Sequence, residues 1–276
     1  MEQCTENTYS VLMSVYRKEN PVYFRQSIQS MMKQTLPFSD FVLVCDGPLT
    51  RELDEIVQWA QEEMGDRLQI IRLKENKGLG YALKTGIPRC RCEVIARMDS
   101  DDISRPDRCQ RQFQLLEQGD YAIVSGSLQE FVSEPGDMDR VRQLPRTSEE
   151  ILKYAQKRNP FNHPCVMFRR SEVLRAGNYQ DFPGFEDYYL WARMLLLGVE
   201  ARNLPDTLLY MRAGTGMYKR RGGWKYVKSM LHFRLFLWKS GLSSFLDFVV
   251  CAGGQMMICL IPNRLRELFY KKFLRK

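Results

Sequence analysis

The sequence predicts an α/β protein: a doubly wound, mainly parallel sheet followed by a helical C-terminal extension. Two observations carry this. Short runs rich in Val, Ile and Leu alternate with amphipathic segments through the first 125 residues, as strands buried on both faces and their crossover helices do. The later chain then changes to aromatic and basic segments of helical period. Strands are expected at residues 11–15, 41–45, 68–73, 94–98 and 122–124. Between the first two, Asn20-Pro21 supplies an N-cap and a first helical position, with Phe24, Ile28 and Met31 as the apolar stripe. Thr50 opens a second helix that carries Leu53, Ile56, Val57 and Ala60 on one face. Ser104 with Pro106 is expected to start a third, in which Cys109, Phe113 and Leu116 recur at helical spacing. Residues 126–185 read as more irregular, with a strand at 165–168, and a helix over 187–197 closes at Gly198. In such a sheet, ligands bind beyond the carboxyl ends of the strands.

The 276 residues suffice for one large domain or two small ones, and 44% hydrophobic with 27% charged residues excludes a wholly disordered chain. Charge is unevenly spread. Residues 201–276 hold 15 basic and 3 acidic side chains, a net of +12, against 26 and 30 in residues 1–200, a net of −4. A mildly acidic body with a basic tail points to a polyanionic partner for the tail alone. Eight cysteines include no CxxC pair, and only His163 and His232 could complete a zinc site, so reduced, buried thiols are expected. Residues 1–6 hold neither a basic nor an apolar signal region, so the chain is expected to stay inside the cell.

The sharpest chemical signal is Asp99-Ser100-Asp101-Asp102, directly after the apolar strand at 94–98. Three carboxylates within four residues repel one another unless a cation or many donors neutralise them. Alternation puts Asp99 and Asp101 on one side, and hard carboxylate oxygens suit Mg²⁺ or Mn²⁺. A solvated, helix-capping turn is the plainer reading, and its place at the end of a central strand tips the balance to function. A second acidic pair lies in Gly184-Phe185-Glu186-Asp187-Tyr188-Tyr189-Leu190-Trp191. Acids at a helix start complement the dipole, so either they cap the helix or one is a general base. Asp46, in Val44-Cys45-Asp46-Gly47-Pro48, either accepts a hydrogen bond from a base N–H or initiates the turn. The first strand is followed by no glycine, which excludes GxGxxG and P-loop phosphate binding there, and Asn76-Lys77-Gly78-Leu79-Gly80 reads as a turn.

Taken together, Ser14-Val15-Tyr16, Cys45-Asp46-Gly47-Pro48, Asn76-Lys77-Gly78 with Ala82 and Gly86, Met98-Asp99-Ser100-Asp101-Asp102 and Phe185-Glu186-Asp187-Tyr188-Tyr189-Leu190-Trp191 resemble family 2 glycosyltransferases of the GT-A fold over roughly residues 8–215. The Asn162-His163-Pro164 and Arg220-Arg221-Gly222-Gly223 segments resemble the branch that builds bacterial capsules and exopolysaccharides, the amylovoran-type transferases. The resemblance implies a nucleotide-sugar donor, usually UDP-linked, and inversion at the anomeric carbon. It places Ser14, Val15 and Tyr16 beside the nucleotide base, with Asp46 bonded to it. It places Asp99 on the ribose and metal side, Asp101 on a divalent metal (Mn²⁺ or Mg²⁺), and Asp187 as the base, with Glu186 beside it. One departure stands out: where many relatives have a Tyr-x-x-His metal ligand, this chain has Tyr210-Met211-Arg212-Ala213. Either Arg212 or the Arg220-Arg221 pair then neutralises the diphosphate, or they form a solvated basic loop.

The tail from residue 216 is expected to be a separate helical segment after a catalytic domain over 1–215. Trp224, Val227, Leu231, Leu235 and Trp238 fall at helical spacing, and residues 245–262 are apolar except for Asp247 and Gln255. Fifteen charge-free residues, 248–262, make roughly 22 Å of helix, short of the ~30 Å hydrocarbon core. With the basic, amphipathic residues 264–276, this predicts helices at an anionic membrane surface on its cytoplasmic side, with no nucleic-acid partner. The alternative is a helical pair packed on the catalytic domain. The function expected is transfer of a sugar to a polyprenyl-diphosphate-linked saccharide. The non-enzymatic alternative is a membrane-bound sugar-nucleotide or polysaccharide-binding protein.

Overall fold

The computed structural model describes residues 8–213 and 223–260. Strands β1 (Ser10–Val15), β2 (Asp40–Cys45), β3 (Leu68–Arg72) and β4 (Val94–Met98) alternate with helices α1 (Pro21–Met32), α2 (Arg51–Met64) and α3 (Leu79–Gly86). A two-residue β5 (Ile103–Ser104) precedes α4 (Arg108–Gln118), the long β6 (Tyr121–Phe131) and the short β7 (Val141–Arg142). Then follow α5 (Ser148–Ala155), β8 (Met167–Arg169), α6 (Arg170–Arg175), α7 (Glu186–Leu196), β9 (Glu200–Arg212), α8 (Trp224–Lys239) and α9 (Phe245–Leu260).

One sheet runs in the order β3-β2-β1-β4-β8-β6-β9-β5, with β7 paired to β6. The β3-β2-β1-β4 portion is parallel, and β8 lies antiparallel between β4 and β6. Period-two alternation explains why the strands read as continuous apolar runs. Val11, Met13, Val15, Phe41, Leu43 and Cys45 face α1, α2 and α4, whereas Leu12, Val42 and Val44 face α3, α5, α6 and α7. The expected start signals act as such in two helices. Asn20 Oδ1 accepts from Val22 N (2.9 Å), and the Thr50 hydroxyl accepts from Leu53 N; each cap contributes about 1 kcal/mol.

The third start signal is corrected. Helix α4 begins at Arg108, because Ser104 belongs to β5, paired with Leu209, and its N–H is taken by Ser30 Oγ (3.0 Å). Residues 126–185 are also more regular than their composition suggests: β6 continues to Phe131, and Thr147 opens α5 with a capping box closed by Glu150. Cys45, Cys90, Cys109, Cys165 and Cys251 are free thiols as expected, but Cys92 is in a disulfide. Its pairing follows spatial proximity, which flanking residues do not reveal.

Helix α8 buries Val227, Met230, Phe233 and Leu237 against Phe185, Tyr188 and Ala192 at the start of α7. Of the apolar residues read at helical spacing, Val227 is buried while Trp224 (74% exposed) and Trp238 turn outward, and Arg234 turns in. Arg234 donates to the Lys157 carbonyl (2.8 Å) and to Gln255 of α9 (2.9 Å). Helix α9 leaves Phe245, Leu246, Val249, Val250 and Met257 exposed. Among the described residues, no helix is long and apolar enough to cross a membrane.

Candidate active site

The carboxyl ends of β1, β2 and β4 lie side by side, with Val15 opposite Cys45 and Met13 opposite Met98. Ser14, Tyr16, Asp46, Asp99, Asp101 and Asp102 follow or close these strand ends. Ser14 is half-buried and Tyr16 exposed, but Val15 points into the core, so only its backbone borders the edge. The Val15 carbonyl accepts from Asp46 N (2.8 Å).

Asp46 is nearly buried, and its carboxylate accepts from Asn76 Nδ2 (2.9 Å), Lys77 N (2.8 Å) and Gly78 N (2.9 Å). It clamps the loop that leads into α3. Gly47 has φ +86°, and a Cβ there would sit 2.6 Å from Asn76 N, so the approach of the two loops requires glycine. The stretch read as a simple turn therefore does more: Gly78 caps α3, and Gly80 packs against the Glu186 side chain, where a Cβ would come within 2.9 Å of Glu186 Cγ. A pair of small residues at the start of a helix was the available signal.

Beyond β4 the chain bends, so simple alternation stops. Asp99, Asp101 and Asp102 all converge, with one carboxylate oxygen from each inside 4.8 Å of the others. Two of them are already engaged. Asp99 is held in a two-pronged ion pair by the Arg97 guanidinium, itself 1% exposed in the core of the sheet. Asp102, fully buried, accepts from Arg212 N (2.9 Å). Asp101 has no side-chain partner among the described residues. Burial, then Asp99, then Glu19 push its carboxyl up to about 7. Burial, then Asp101 and Asp99, push Asp102 well above the usual range. Clustered hard oxygens that resist ionisation together are a donor set that fits a divalent cation, with Asp101 as its free member.

Arg212 departs from both expected roles. Its guanidinium stacks 3.6 Å from the Tyr23 ring centroid and 4.4 Å from that of Phe131, while Nε donates to the Asp101 carbonyl (3.1 Å) and Nη2 to Gln26 (2.9 Å). It braces the acidic loop from behind. The Arg220-Arg221 pair lies outside the described residues. Arg212→Ala should lower stability by about 1–3 kcal/mol, from lost stacking and hydrogen bonds. Arg212→Lys should recover little of it, because an ammonium cannot stack and bridge at once. Urea denaturation measures both, and full recovery by lysine would contradict the brace.

Glu186 and Asp187 occupy the first turn of α7. Asp187 accepts from Asn159 Nδ2 (2.6 Å) and from Tyr188 N (2.7 Å), which fixes its orientation. Burial raises the Glu186 carboxyl. The buried Tyr179 phenol is raised by burial and then by Asp187, Asp99 and Glu186, so it lies within electrostatic reach of members of both acidic groups. His163 bonds the same phenol through Nε2 (2.8 Å) and stacks edge-on to Trp191. Burial and the Arg97 charge hold it neutral. Its contacts are those of a structural core histidine.

Comparison with known proteins decides what such a site belongs to. Residues 10–177 match the family described as Glycosyl transferase family 2. The chain belongs to glycosyl transferase family 2. As a family 2 glycosyltransferase it is 38% identical over 269 residues to the amylovoran biosynthesis glycosyltransferase AmsE of Erwinia amylovora, covering 96% of this chain and 98% of that one. It is 33% identical over 270 residues to an Escherichia coli UDP-Gal:alpha-D-GlcNAc-diphosphoundecaprenol beta-1,3-galactosyltransferase, covering 97% of each. The fold matches S. aureus TarS, solved with UDP-GlcNAc, with TM-score 0.65 at 14% identity over 97% of this chain and 71% of that one. It also matches the mannosyltransferase PcManGT of Pyrobaculum calidifontis, solved with GDP-Man and Mn²⁺, with TM-score 0.63 at 16% identity over 94% of this chain and 71% of that one. These likenesses identify the sheet as a GT-A fold.

Proposed function

We propose that this family 2 glycosyltransferase moves a sugar from a UDP-linked donor to a hydroxyl of a polyprenyl-diphosphate-linked saccharide, with inversion, at the cytoplasmic face of a membrane. The observation that carries the reading is the cluster of Asp99, Asp101 and Asp102, whose first member lies with Glu186 and Asp187 within electrostatic reach of Tyr179. The nucleotide would lie along the edge formed by Ser14, Val15, Tyr16 and the loop clamped by Asp46. Asp101, with the open edges of Asp99 and Asp102, would hold Mn²⁺ or Mg²⁺. A cation there supplies positive charge to the departing diphosphate.

The chain's own residues do the rest. Asp187, oriented by Asn159 and Tyr188 N, takes the proton of the acceptor hydroxyl. The freed oxygen bonds to the anomeric carbon as the bond to the diphosphate breaks, and the bonding pair leaves with the nucleotide. Attack from the side opposite the leaving group inverts the centre. Arg97 holds Asp99 in place through its ion pair, and Arg212 keeps the acidic loop from moving away. Relatives whose names specify a diphosphoundecaprenol acceptor or amylovoran synthesis support the choice of acceptor.

Membrane association would come through α9 and the basic residues beyond it. Leu246 (70% exposed), Val250 (63%) and Met257 (68%) lie along one side of α9. Changing these three to serine should release the protein from phosphatidylglycerol vesicles in sedimentation while leaving donor hydrolysis intact. Undiminished sedimentation would remove α9 from the interface. The function itself is tested by divalent-dependent nucleotide release across a panel of UDP-, GDP- and dTDP-sugars without acceptor. One UDP-sugar should be hydrolysed above the rest, and absence of hydrolysis with every donor would reject the reading.

A further inference from the structure

A cleft of about 280 Å³ lies between the 181–183 loop and α8, lined by Asp181, Phe182, Pro183, Lys225, Lys228 and His232, with Ser229. None of these residues takes part in the site described above, yet the cleft adjoins it. The loop runs straight into Glu186 and Asp187, and Asp181 is close enough to Glu186 to raise its carboxyl further. The Ser229 hydroxyl donates to the Pro183 carbonyl (2.7 Å), and Tyr226 packs over Gly184, so helix and loop are joined as one wall.

Its chemistry is that of an anion site with an apolar side. Lys225, Lys228 and His232 fall at helical spacing on the outer face of α8. Among the described residues neither lysine has an ion-pair partner, although they stand one turn apart. Like charges so placed repel, and a polyvalent anion between them relieves the repulsion. The only carboxylate in the lining is Asp181, so the two lysines leave the cleft net positive. Phe182 and Pro183 form its apolar wall, and Trp224, 74% exposed, precedes Lys225 at the head of the helix. The volume suits a head group rather than a whole lipid.

We propose that this cleft binds the diphosphate of the prenyl-linked acceptor, with Lys225 and Lys228 on the phosphate oxygens and Phe182 and Pro183 against the first isoprene unit. The inference rests on the acceptor class proposed above. Seating the diphosphate here presents the attached sugar to Asp187 and makes the acceptor's lipid carrier, rather than its saccharide alone, a determinant of recognition. Lys→Gln at both positions removes charge from two exposed side chains, and Lys→Arg keeps it in a group that also pairs with phosphate.

The test is equilibrium binding of farnesyl diphosphate to the full chain in EDTA, which removes metal-assisted binding at the donor site, with farnesol as the uncharged control. Lys225→Gln with Lys228→Gln should weaken farnesyl diphosphate binding by about tenfold or more, as loss of charge-assisted hydrogen bonds does. The Lys225→Arg, Lys228→Arg pair should stay near wild type, and farnesol affinity should not change. Equal affinity of the glutamine variant for farnesyl diphosphate overturns the proposal, as does an equal loss for farnesol. Phosphatidylglycerol vesicles provide a further arm: loss of vesicle binding with farnesyl diphosphate affinity unchanged would assign the lysines to bilayer headgroups and overturn it too. Nucleotide release by the wild-type protein reads the catalytic function separately, so failure of one does not imitate failure of the other.

Discussion

Replacing Asp187 by asparagine should lower sugar transfer by about 10²–10⁴-fold, the range that general-base catalysis supplies. The substitution isolates one property. Asparagine keeps the size of the side chain and its carbonyl oxygen can still accept at the start of α7, so the helix loses little. In Asp187 one oxygen accepts from Tyr188 N and the other from Asn159 Nδ2; asparagine keeps the first contact and gives up the second. The amide cannot take a proton from a hydroxyl. The loss should therefore appear in kcat, with donor affinity almost unchanged, because a base for the acceptor hydroxyl takes no part in holding the donor. A steady-state comparison of transfer with calorimetric binding of UDP separates the two, and wild-type turnover would reduce Asp187 to a helix cap.

Asp101→Ala should abolish divalent-dependent UDP binding while leaving the fold intact. Asp101 is the carboxylate of the three that no side chain among the described residues engages, whereas Asp99 and Asp102 are tied to Arg97 and to Arg212 N. Its acidity gives the prediction a second readout. The folded-state carboxyl is raised to about 7 from an ordinary value of 3.8, chiefly by burial and then by Asp99 and Glu19. A raised carboxyl favours the folded state only while protonated, so its contribution is present below the unfolded value and is lost as pH rises towards 7. Without metal, the variant should melt higher than wild type at pH 7.5, and the difference should shrink towards pH 4. Added Mn²⁺ or Mg²⁺ should raise the wild-type melting temperature at pH 7.5 and not that of the variant. Unchanged binding of UDP with Mn²⁺ by Asp101→Ala would remove it from the metal site.

The residues that were legible in the sequence are those whose role is set locally. The parallel strands declare themselves because both faces are buried, so Leu12 and Val11 are equally apolar while pointing to opposite cores. Asn20 and Thr50 act within their own first turns. Asp99, Asp101 and Asp102 stand at the end of a central strand, where an α/β sheet binds its ligands. What escaped depends on contacts between distant positions. Arg212 reaches Asp101 and Asp102 across some 110 residues, and Asn159 reaches Asp187 across 28. Neither has a local pattern that announces it. Arg97 could have been found: a charged residue inside an apolar strand, two positions before an aspartate, faces the same side and needs that partner when buried. In α8, helical spacing alone does not say which apolar residues pack on the body: Met230, Phe233 and Leu237 turn inward with Val227, while Trp224 and Trp238 stay exposed.

Transfer with inversion requires the two carboxylate clusters to act from opposite sides of one anomeric carbon. Proton NMR of the first-formed product, with the hydrolysed UDP-sugar as donor and a prenyl-diphosphate-linked saccharide as acceptor, reads that arrangement directly. Direct displacement assisted by Asp187 predicts a new glycosidic bond whose anomeric configuration is opposite to that of the donor. A product that keeps the donor's configuration would contradict it.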